Sequence, residues 1–360
     1  MQKRRLGRTN LQTSIIGFGG TWLAQLKPDE ATAVVKKALD SGINYFDAAR
    51  WDGDSEEKIG TALEGSRDKC IIATKTGSRT KRESLDDLKE SMQKLRTNKL
   101  DIIQLHGIDD EKILDKAMSS DGSLQTCKEA RQKGLVNFIG ITGHKPRILT
   151  KAVKSGEFDV VLVPINVVTR QALEELLPTA KKLDVGVAVM KPYSAKTSNL
   201  ITCLYKPSLS LLNDEPELKA LLGNDNTAMV NTALKYVLAQ DVSVVIPGYS
   251  RVNEVEVAAE VGVNYTGLTN AEESLLSLDL GDYCRDCGEC QPCLQNVNVP
   301  AILRFYLFAK TFGLKNWAKK LYRAQEVSIE RCTKCYECEQ RCPYHLSIVK
   351  MLQKAKIDLQ

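Results

Sequence analysis

The first 280 residues alternate between short apolar runs and segments with helical periodicity. The apolar runs are rich in valine and isoleucine and do not alternate with polar residues, which is typical of strands buried on both faces of a parallel sheet. These predicted strands cover residues 15–19, 43–47, 70–74, 102–105, 138–142, 160–163, 186–190 and 242–247. The predicted helices cover residues 29–41, 55–64, 84–96, 122–133, 146–155, 171–183, 226–240 and 252–261. A hairpin over residues 3–13 precedes the first strand.

Eight strand–helix units over about 250 residues predict a (β/α)8 barrel, the TIM-barrel fold of the α/β class. An open, doubly wound sheet is the alternative, but no Gly-x-Gly-x-x-Gly motif follows any predicted strand. We expect the barrel to occupy residues 1–280 and a small α-helical domain to occupy residues 281–360. The segment between Tyr193 and Asn226 has little periodicity, which predicts either a substrate-selecting loop or a disordered insertion.

Polar and ionisable residues follow the ends of several predicted strands. Asp47, Lys75 and His106 end or follow three consecutive strands, and further polar residues follow others, namely Thr142, Asn166 and Lys191. The carboxyl ends of barrel strands meet at one mouth, where barrel enzymes build their active sites. We therefore expect a carboxylate, an ammonium and an imidazole to converge there. A purely structural Asp–Lys pair is the alternative.

The overall composition is that of an ordinary globular protein, with 43% apolar and 26% charged residues. No apolar run approaches the ~18–20 residues that span a bilayer, and the N-terminus lacks the apolar core of a signal peptide. We therefore expect a cytoplasmic protein that is not bound to a membrane.

The net charge is +5, and residues 300–331 hold seven Lys/Arg against two Glu. This basic segment predicts either a docking surface for an acidic electron-transfer protein or an ordinary solvated helix face. Its aromatic residues predict a packed helix over 302–322 and not a nucleic-acid surface.

Eight of the eleven cysteines lie close together near the C-terminus, in two runs with short, regular spacings. The first run comprises Cys284, Cys287, Cys290 and Cys293, and the second comprises Cys332, Cys335, Cys338 and Cys342. Four thiolates within about ten residues suit a cubane iron–sulfur cluster, and the second run has the spacing found in two-cluster ferredoxins, whose fourth cysteine ligates the other cluster. The two runs therefore predict two [4Fe-4S] clusters in a reducing compartment. Structural zinc is the alternative.

The crossed ligation of such ferredoxins assigns Cys342 to the cluster of Cys284, Cys287 and Cys290. It assigns Cys293 to the cluster of Cys332, Cys335 and Cys338, although the spacing before Cys293 is one residue shorter than usual. The other cysteines, Cys70, Cys127 and Cys203, are scattered and are predicted to be small apolar residues.

Several segments together resemble the aldo-keto reductase family, from residue 3 to about residue 280. They are Leu6-Gly7-Arg8-Thr9, Phe46-Asp47-Ala48-Ala49, Ser55-Glu56-Glu57-Lys58-Ile59-Gly60, Ala73-Thr74-Lys75-Thr76, Gln104-Leu105-His106, Gly140-Ile141-Thr142-Gly143-His144, Met190-Lys191-Pro192 and Ile246-Pro247-Gly248. The resemblance implies carbonyl reduction with hydride from NADPH, catalysed by Asp, Tyr, Lys and His. The tail resembles the helical ferredoxin module that follows some aldo-keto reductase-like barrels.

The family's catalytic positions are filled here by Asp47, Lys75 and His106, but Asp52 stands where the family has its proton-donating tyrosine. An ionised carboxyl is a base and a poor acid, so this exchange is chemically large. Tyr45, two residues before Asp47, is either a substitute acid or barrel packing. We predict Asp47, Asp52, Lys75 and His106 as the catalytic set.

The resemblance also implies contacts to a cofactor, NADP(H). The family's carboxamide-binding glutamine aligns with Leu162, and its adenine-reading Glu-Asn pair aligns with Val257-Ala258. The predicted contacts that remain are Thr142, Asn166, Ser250 and Arg251. Backbone N–H groups at the start of the helix predicted over residues 252–261 would also bind a 2′-phosphate.

These observations favour a redox enzyme that acts on a small carbonyl or hydroxyl substrate, with electrons passing through two clusters. A lyase or isomerase that uses Asp52 as its base, with structural clusters, is the second hypothesis. A non-catalytic electron carrier or redox sensor on a barrel scaffold is the third.

Overall fold

The computed structural model describes residues 1–167, 169–193, 227–270, 273, 283–285, 287–311, 315–324 and 328–360. Met1–Tyr193 and Met229–Thr269 form one compact unit, and Asn270–Gln360 belong to a second. The long segment between Tyr193 and Asn226, and the expected domain boundary at residue 280, lie outside the described residues.

The first unit contains a sheet of eight parallel strands in sequential order, which confirms the predicted barrel. A short antiparallel hairpin, β1 (Lys3–Arg5) and β2 (Gln12–Ser14), precedes it. The barrel strands are β3 (Phe18–Gly19), β4 (Tyr45–Asp47), β5 (Ile71–Thr76), β6 (Leu100–Leu105), β7 (Val136–Thr142), β8 (Val160–Pro164), β9 (Gly186–Met190) and β10 (Val244–Ile246). Each overlaps a strand that the apolar runs predict.

Helices follow most of these strands. They are α1 (Pro28–Asp40), α2 (Ser55–Ala62), α3 (Lys81–Lys94), α4 (Glu111–Met118), α5 (Ser123–Gln132), α6 (Pro146–Lys154), α7 (Leu176–Lys182), α8 (Thr227–Leu238) and α9 (Val252–Asn264). The sequence analysis missed α4, which has only 8 residues and begins where the Asp110 carboxylate accepts the backbone N–H of Ile113 at 2.8 Å. Within the described residues, no helix is both long and apolar enough to cross a membrane.

Backbone hydrogen bonds between the first and last barrel strands bring the sheet close to full closure. Ile16 bridges Val245, and the N–H of Gly17 donates to the carbonyl of Val245 at 2.7 Å. Gly19 bridges Gly248, and a Cβ atom at Gly19 would lie 2.8 Å from the carbonyl oxygen of Pro247. Glycine is therefore required at Gly19 for the two strands to approach.

Apolar side chains fill the barrel interior and include Leu6, Tyr45, Ile102, Leu162 and Val244. All five are at most 1% exposed. Since the interior is packed, chemistry on a small molecule is confined to the mouth formed by the carboxyl ends of the strands.

The second unit is α-helical where it is described. Its helices are α10 (Val299–Thr311), α11 (Lys315–Arg323), α12 (Glu337–Gln340) and α13 (Ile348–Leu359). The packed helix predicted over residues 302–322 is thus two helices, and residues 312–314 between them lie outside the described residues. The rings of Phe308 on α10 and Trp317 on α11 stack with centroids 5.0 Å apart.

Candidate active site

A buried ion pair lies at the carboxyl end of the barrel strands. The Lys75 ammonium on β5 donates to Asp47 Oδ2 on β4 at 2.5 Å and to the carbonyl of Ala48 at 2.7 Å. The second carboxylate oxygen, Oδ1, accepts Gln104 Nε2 from β6 at 2.8 Å. Both charged side chains are buried. Burial raises the pKa of Asp47, and the attraction of the Lys75 ammonium opposes that rise.

Gln104 is a site residue that the sequence analysis quoted as part of a motif but did not predict as functional. Gln104 lies on β6, two residues before His106, which follows the strand. Its side chain is fully buried. Alternation along a strand places Gln104 on the barrel's inner face, which is the signal that would have identified it.

His106 is a neutral imidazole next to this pair. Burial, together with the charges of the nearby cations Lys75 and Arg79, lowers its pKa to about 3. The indole of Trp51 packs on the imidazole with ring centroids 4.7 Å apart, and the Trp51 side chain is itself 64% exposed. A histidine with this pKa provides a hydrogen bond at neutral pH and does not provide a proton.

Asp52 and Tyr45 are placed differently from the family's tyrosine. Asp52 is half-buried, and its Oδ2 accepts the Thr21 hydroxyl at 3.0 Å, whereas the hydrogen bonds of Lys75 go to Asp47 and Ala48. Tyr45 is fully buried, and its hydroxyl has no hydrogen-bond partner among the described residues. Burial raises the pKa of Tyr45 well above its ordinary value, as does the charge of Asp47. Tyr45 is therefore barrel packing and a weaker acid than a free tyrosine.

Two predicted cofactor contacts, Thr142 and Asn166, are buried close to the ends of β7 and β8. The Asn166 side chain is engaged within the chain, since its Nδ2 donates to the Lys191 carbonyl at 3.1 Å. Its Oδ1 accepts the backbone N–H of Thr169 at 2.8 Å. Asn166 thus fixes the backbone of two loops at the mouth.

The other two predicted contacts, Ser250 and Arg251, precede helix α9. The carboxylate of Glu254 accepts the backbone N–H of Ser250 at 2.7 Å and that of Arg251 at 3.2 Å. It also accepts the Ser250 hydroxyl at 3.2 Å. These are the donors that a phosphate at the helix start would use. The residues therefore do not fit a 2′-phosphate, because an internal carboxylate already takes its place.

In the second unit, the cysteines form two groups. Cys293 lines one cavity together with Cys332, Cys335 and Cys338, which are the four residues that the sequence analysis assigned to one cluster. The remaining lining includes apolar side chains, Leu294, Val297, Val299 and Leu352 among them. Four thiols around a largely apolar cavity fit a [4Fe-4S] cluster.

Cys290 lies close to further cysteines, namely Cys284, Cys287 and also Cys338 of the cavity described above. Burial raises the pKa of the Cys290 thiol to about 12, and the negative charges of Cys284 and Cys287 contribute to this rise. Cys342 is buried in the hydrophobic core of the same unit. Among the described residues, no three His, Cys, Asp or Glu side chains are spaced to ligate a single ion.

Comparison with known proteins identifies both units. The family model described as "Aldo/keto reductase family" matches residues 15–267. The chain belongs to the aldo/keto reductase family. The model described as "4Fe-4S dicluster domain" matches residues 283–346 of this aldo/keto reductase. The protein is thus an oxidoreductase whose second unit is an iron–sulfur domain.

Relatives of this aldo/keto reductase are oxidoreductases by name. An L-galactose dehydrogenase of Arabidopsis thaliana is 32% identical over 286 residues, which are 71% of this chain and 86% of the relative. An uncharacterized oxidoreductase of Bacillus subtilis is 26% identical, over 71% of this chain and 89% of its own. The holo form of an aldo-keto reductase from Bacillus halodurans superimposes with a TM-score of 0.60 at 25% identity, covering 77% of this chain and 95% of its own.

Replacing Lys75 with methionine should leave Asp47 as an unpaired buried acid. We expect this variant to be less stable than the wild type by about 3–5 kcal/mol at neutral pH, since breaking one side of a buried pair exposes the full desolvation cost. The folded-state pKa of Asp47 would then lie further above its unfolded value. Between the unfolded-state and folded-state pKa values of Asp47, the folded state would bind more protons than the unfolded state. The free energy of unfolding should therefore fall as the pH rises from the first value to the second.

Urea unfolding of Lys75→Met at several pH values measures this effect. The double variant Lys75→Met/Asp47→Asn is the control, and its stability should be much less dependent on pH. Equal pH dependence in the single and double variants would show that the pair carries no buried charge.

Replacing a cysteine of one group should remove one cluster. We expect anaerobically purified Cys335→Ser to contain about half of the wild-type iron and sulfide, because its cavity loses one of four thiolates. The matched control is Cys127→Ser, a change at a buried barrel cysteine, which should keep the full content. Wild-type protein that binds zinc and no inorganic sulfide would contradict the assignment.

Proposed function

We propose that this aldo/keto reductase interconverts a hydroxyl and a carbonyl group on a small substrate at the barrel mouth. We further propose that the two [4Fe-4S] clusters exchange electrons with a redox partner protein. The observation that carries the proposal is the buried Asp47–Lys75 pair, held by Gln104 and adjacent to the neutral His106.

This arrangement suits a reacting oxygen. A lysine ammonium has three donors, and within the described residues two of those of Lys75 are used, by Asp47 and Ala48. The remaining donor and the imidazole of His106 would stabilise negative charge that develops on a carbonyl or hydroxyl oxygen. Asp47 provides the counter-charge to the Lys75 ammonium in this buried position.

The substrate class that fits the mouth best is a sugar. Two relatives are named L-galactose dehydrogenase and D-threo-aldose 1-dehydrogenase, the second being 27% identical over 50% of this chain. The exposed indole of Trp51 beside His106 offers an apolar face for a sugar ring. Asp52 and Thr21 form a polar pair that would accept hydrogen bonds from sugar hydroxyls. We therefore propose an aldose, with Asp52 binding a hydroxyl group.

The proposed hydride carrier is a nicotinamide dinucleotide without a 2′-phosphate. A bound nicotinamide would take or supply the hydride that the hydroxyl–carbonyl conversion requires. NAD(H) is preferred to NADP(H) because the Glu254 carboxylate occupies the N–H groups of Ser250 and Arg251. A phosphate there would meet a negative charge in place of free donors.

The clusters would supply single electrons, and the second unit offers a basic surface for a partner. Lys315, Lys320 and Arg323 are exposed on α11, and Cys335 of the cavity described above is exposed as well. An acidic electron-transfer protein would be steered to such a surface. A cytoplasmic, reducing environment would keep the cluster thiols from forming disulfides.

The test uses anaerobically purified protein with L-galactose plus NAD⁺ and with methylglyoxal plus NADH as probes. Methylglyoxal is included because a relative from Escherichia coli, 27% identical over 67% of this chain, is named a methylglyoxal reductase. We expect turnover of at least one probe, and a loss of 10²-fold or more in Asp47→Asn, because Lys75 then loses its counter-charge.

The same assay separates the alternative lyase or isomerase function. Such an enzyme would convert the sugar without any change in NADH absorbance and would lose activity in Asp52→Asn. Wild-type protein that turns over neither probe with a change in NADH would contradict the proposal.

Replacing Glu254 with alanine should change the choice of dinucleotide. The variant frees the N–H groups of Ser250 and Arg251, so we expect the Kd for NADPH to fall about tenfold, equivalent to about 1.4 kcal/mol. The Kd for NADH should change much less. Fluorescence titration of both dinucleotides measures this shift.

Glu256→Ala is the matched control, since Glu256 lies on the same helix and pairs with Lys37 on the surface. NADPH affinity in this variant should stay at the wild-type value. A Glu254→Ala variant with unchanged NADPH affinity would show that the helix start does not contact the cofactor.

A further inference from the structure

Three side chains form a hydrogen-bonded chain at the barrel mouth, separate from the Asp47–Lys75 pair. His144 Nδ1 lies 3.0 Å from Asp109 Oδ2, and His144 Nε2 lies 2.5 Å from Lys191 Nζ. The backbone N–H of His144 also donates to the other oxygen of Asp109. An acid, an imidazole and an amine are thus joined through both nitrogens of one ring.

The fold holds these groups through the ends of four neighbouring strands. Asp109 follows β6, His144 follows β7 and Lys191 follows β9, while Asn166, after β8, binds the Lys191 carbonyl. A Cβ atom at Gly143 would lie 2.5 Å from the carbonyl oxygen of Ile108 and 2.9 Å from Asp109 Oδ1. The glycine before His144 therefore allows the two loops to meet.

Lys191 itself has a backbone conformation that side chains rarely adopt, with φ at +57°. This left-handed region is unfavourable for a residue other than glycine. The surrounding contacts hold Lys191 in this conformation, which brings its amine to the imidazole.

The protonation states follow from the hydrogen bonds. Burial pushes the pKa of Asp109 upwards, and the hydrogen bonds from His144 outweigh this, so that its pKa is lowered and it is ionised at neutral pH. An ionised Asp109 accepts only, so the proton of the ring must be on Nδ1. Nε2 and the Lys191 amine then share one further proton, and the Asp109 carboxylate balances its charge whichever group carries it.

The reaction proposed above needs a group that can give and take a proton at the reacting oxygen. His106 stays neutral with a pKa of about 3, Tyr45 is buried in the barrel core, and Asp52 replaces the family's tyrosine. Asp109 follows His106 by three residues, and the N–H of Ile108 donates to the carbonyl of Thr142 at 2.9 Å, so the segments after β6 and β7 meet beside His106. The charge of His144 also contributes to the low pKa of His106. The three-residue chain is therefore next to the site and carries the proton that the site lacks.

We propose that Lys191 and His144 are the acid–base pair of this enzyme, with Lys191 as the catalytic residue facing the substrate oxygen and Asp109 as a positioning residue. The proposal rests on the function proposed above. In reduction, a bound nicotinamide dinucleotide would supply the hydride to the carbonyl carbon, and the π electrons of the carbonyl would move to its oxygen. That oxygen takes the proton shared by Lys191 and His144, which gives the alcohol and leaves a neutral amine beside a neutral imidazole.

Solvent then restores the shared proton. The side chains of His144 and Asp109 are 43% and 35% exposed, so water reaches these hydrogen-bonded residues directly. In oxidation every step runs in reverse, and the amine takes the hydroxyl proton while the hydride leaves to the oxidised dinucleotide. Atoms and charge balance in both directions without a further reactant.

The first test observes the proton and needs no turnover. The protein has only 3 histidines, so histidine-selective ¹⁵N labelling gives three pairs of ring-nitrogen signals, and His144→Asn identifies the pair of His144. We expect His144 to be protonated at Nδ1 in the wild type and its Nε2 signal to shift in Lys191→Met. An unprotonated Nδ1, or a ring spectrum that Lys191→Met leaves unchanged, would overturn the proposal.

The same spectra test the role of Asp109. We expect Asp109→Asn to change the balance of protonated ring nitrogens at His144, because the amide no longer stabilises a proton on Nδ1. A His144 spectrum identical to that of the wild type would remove Asp109 from the chain.

The second test separates proton transfer from simple charge. Lys191→Met and His144→Asn should each lower kcat about 10²-fold or more, with KM for the sugar or dicarbonyl probe changed only a few-fold. Lys191→Arg should be equally impaired, because a guanidinium keeps the charge but does not give up its proton. The double variant should be little worse than either single variant, since both act on one proton.

Lys151→Met is the matched control. Lys151 is a surface lysine on α6 that pairs with Glu111 and Asp115. The kcat of this variant should equal that of the wild type. Wild-type kcat in Lys191→Arg would overturn the acid–base role while leaving the proposed function intact. A wild-type protein without turnover would contradict both the proposed function and the catalytic role of Lys191. The imidazole spectra would still decide whether Lys191 and His144 share a proton.

Discussion

The buried pair of Asp47 and Lys75 is the constraint on which the barrel mouth depends. Transferring two charges from water into a protein costs several kcal/mol each, and only close pairing with further hydrogen bonds offsets that cost. The parallel pairing of Asp47 with Ala73 sets the register in which Lys75, two residues further along β5, reaches the carboxylate. Gln104 occupies the second carboxylate oxygen from the next strand. The position of the ammonium is therefore fixed by three adjacent strands and not by a loop.

This fixed cation shapes the electrostatics of the groups around it. It contributes to the low pKa of His106, which keeps the imidazole neutral and limits it to hydrogen bonding. Under the proposed function, binding of the reacting oxygen and delivery of a proton would fall to different groups. Lys75 and His106 would bind the oxygen, and the hydrogen-bonded residues Asp109, His144 and Lys191 would supply the proton. Such a division would let the barrel retain carbonyl chemistry where Asp52 stands in place of a tyrosine.

The second unit depends on a different interaction, between buried thiols and iron. Burial raises the pKa of Cys338 to about 11 and that of Cys290 to about 12, so at neutral pH neither thiol would ionise without a strong cation beside it. Iron would supply that cation, and cluster binding and the stability of this unit are coupled for the same reason. The core that surrounds the cysteines, including Ile302, Phe308 and Leu352, is continuous with them.

Local pattern in the sequence was sufficient for the eight strands, most helices, the two cysteine runs and the positions of Asp47, Lys75 and His106 at the ends of strands. Strand burial and thiolate spacing are short-range properties, and an amino-acid sequence displays them directly. The contacts between loops were decided by the tertiary structure alone. Asp109 and His144 are 35 residues apart and His144 and Lys191 are 47 apart, so only barrel closure brings them together. The same holds for Gln104, whose partner lies two strands away. The hydrogen bond from the Ser250 N–H to Glu254 is local, but it depends on the backbone conformation at the start of α9.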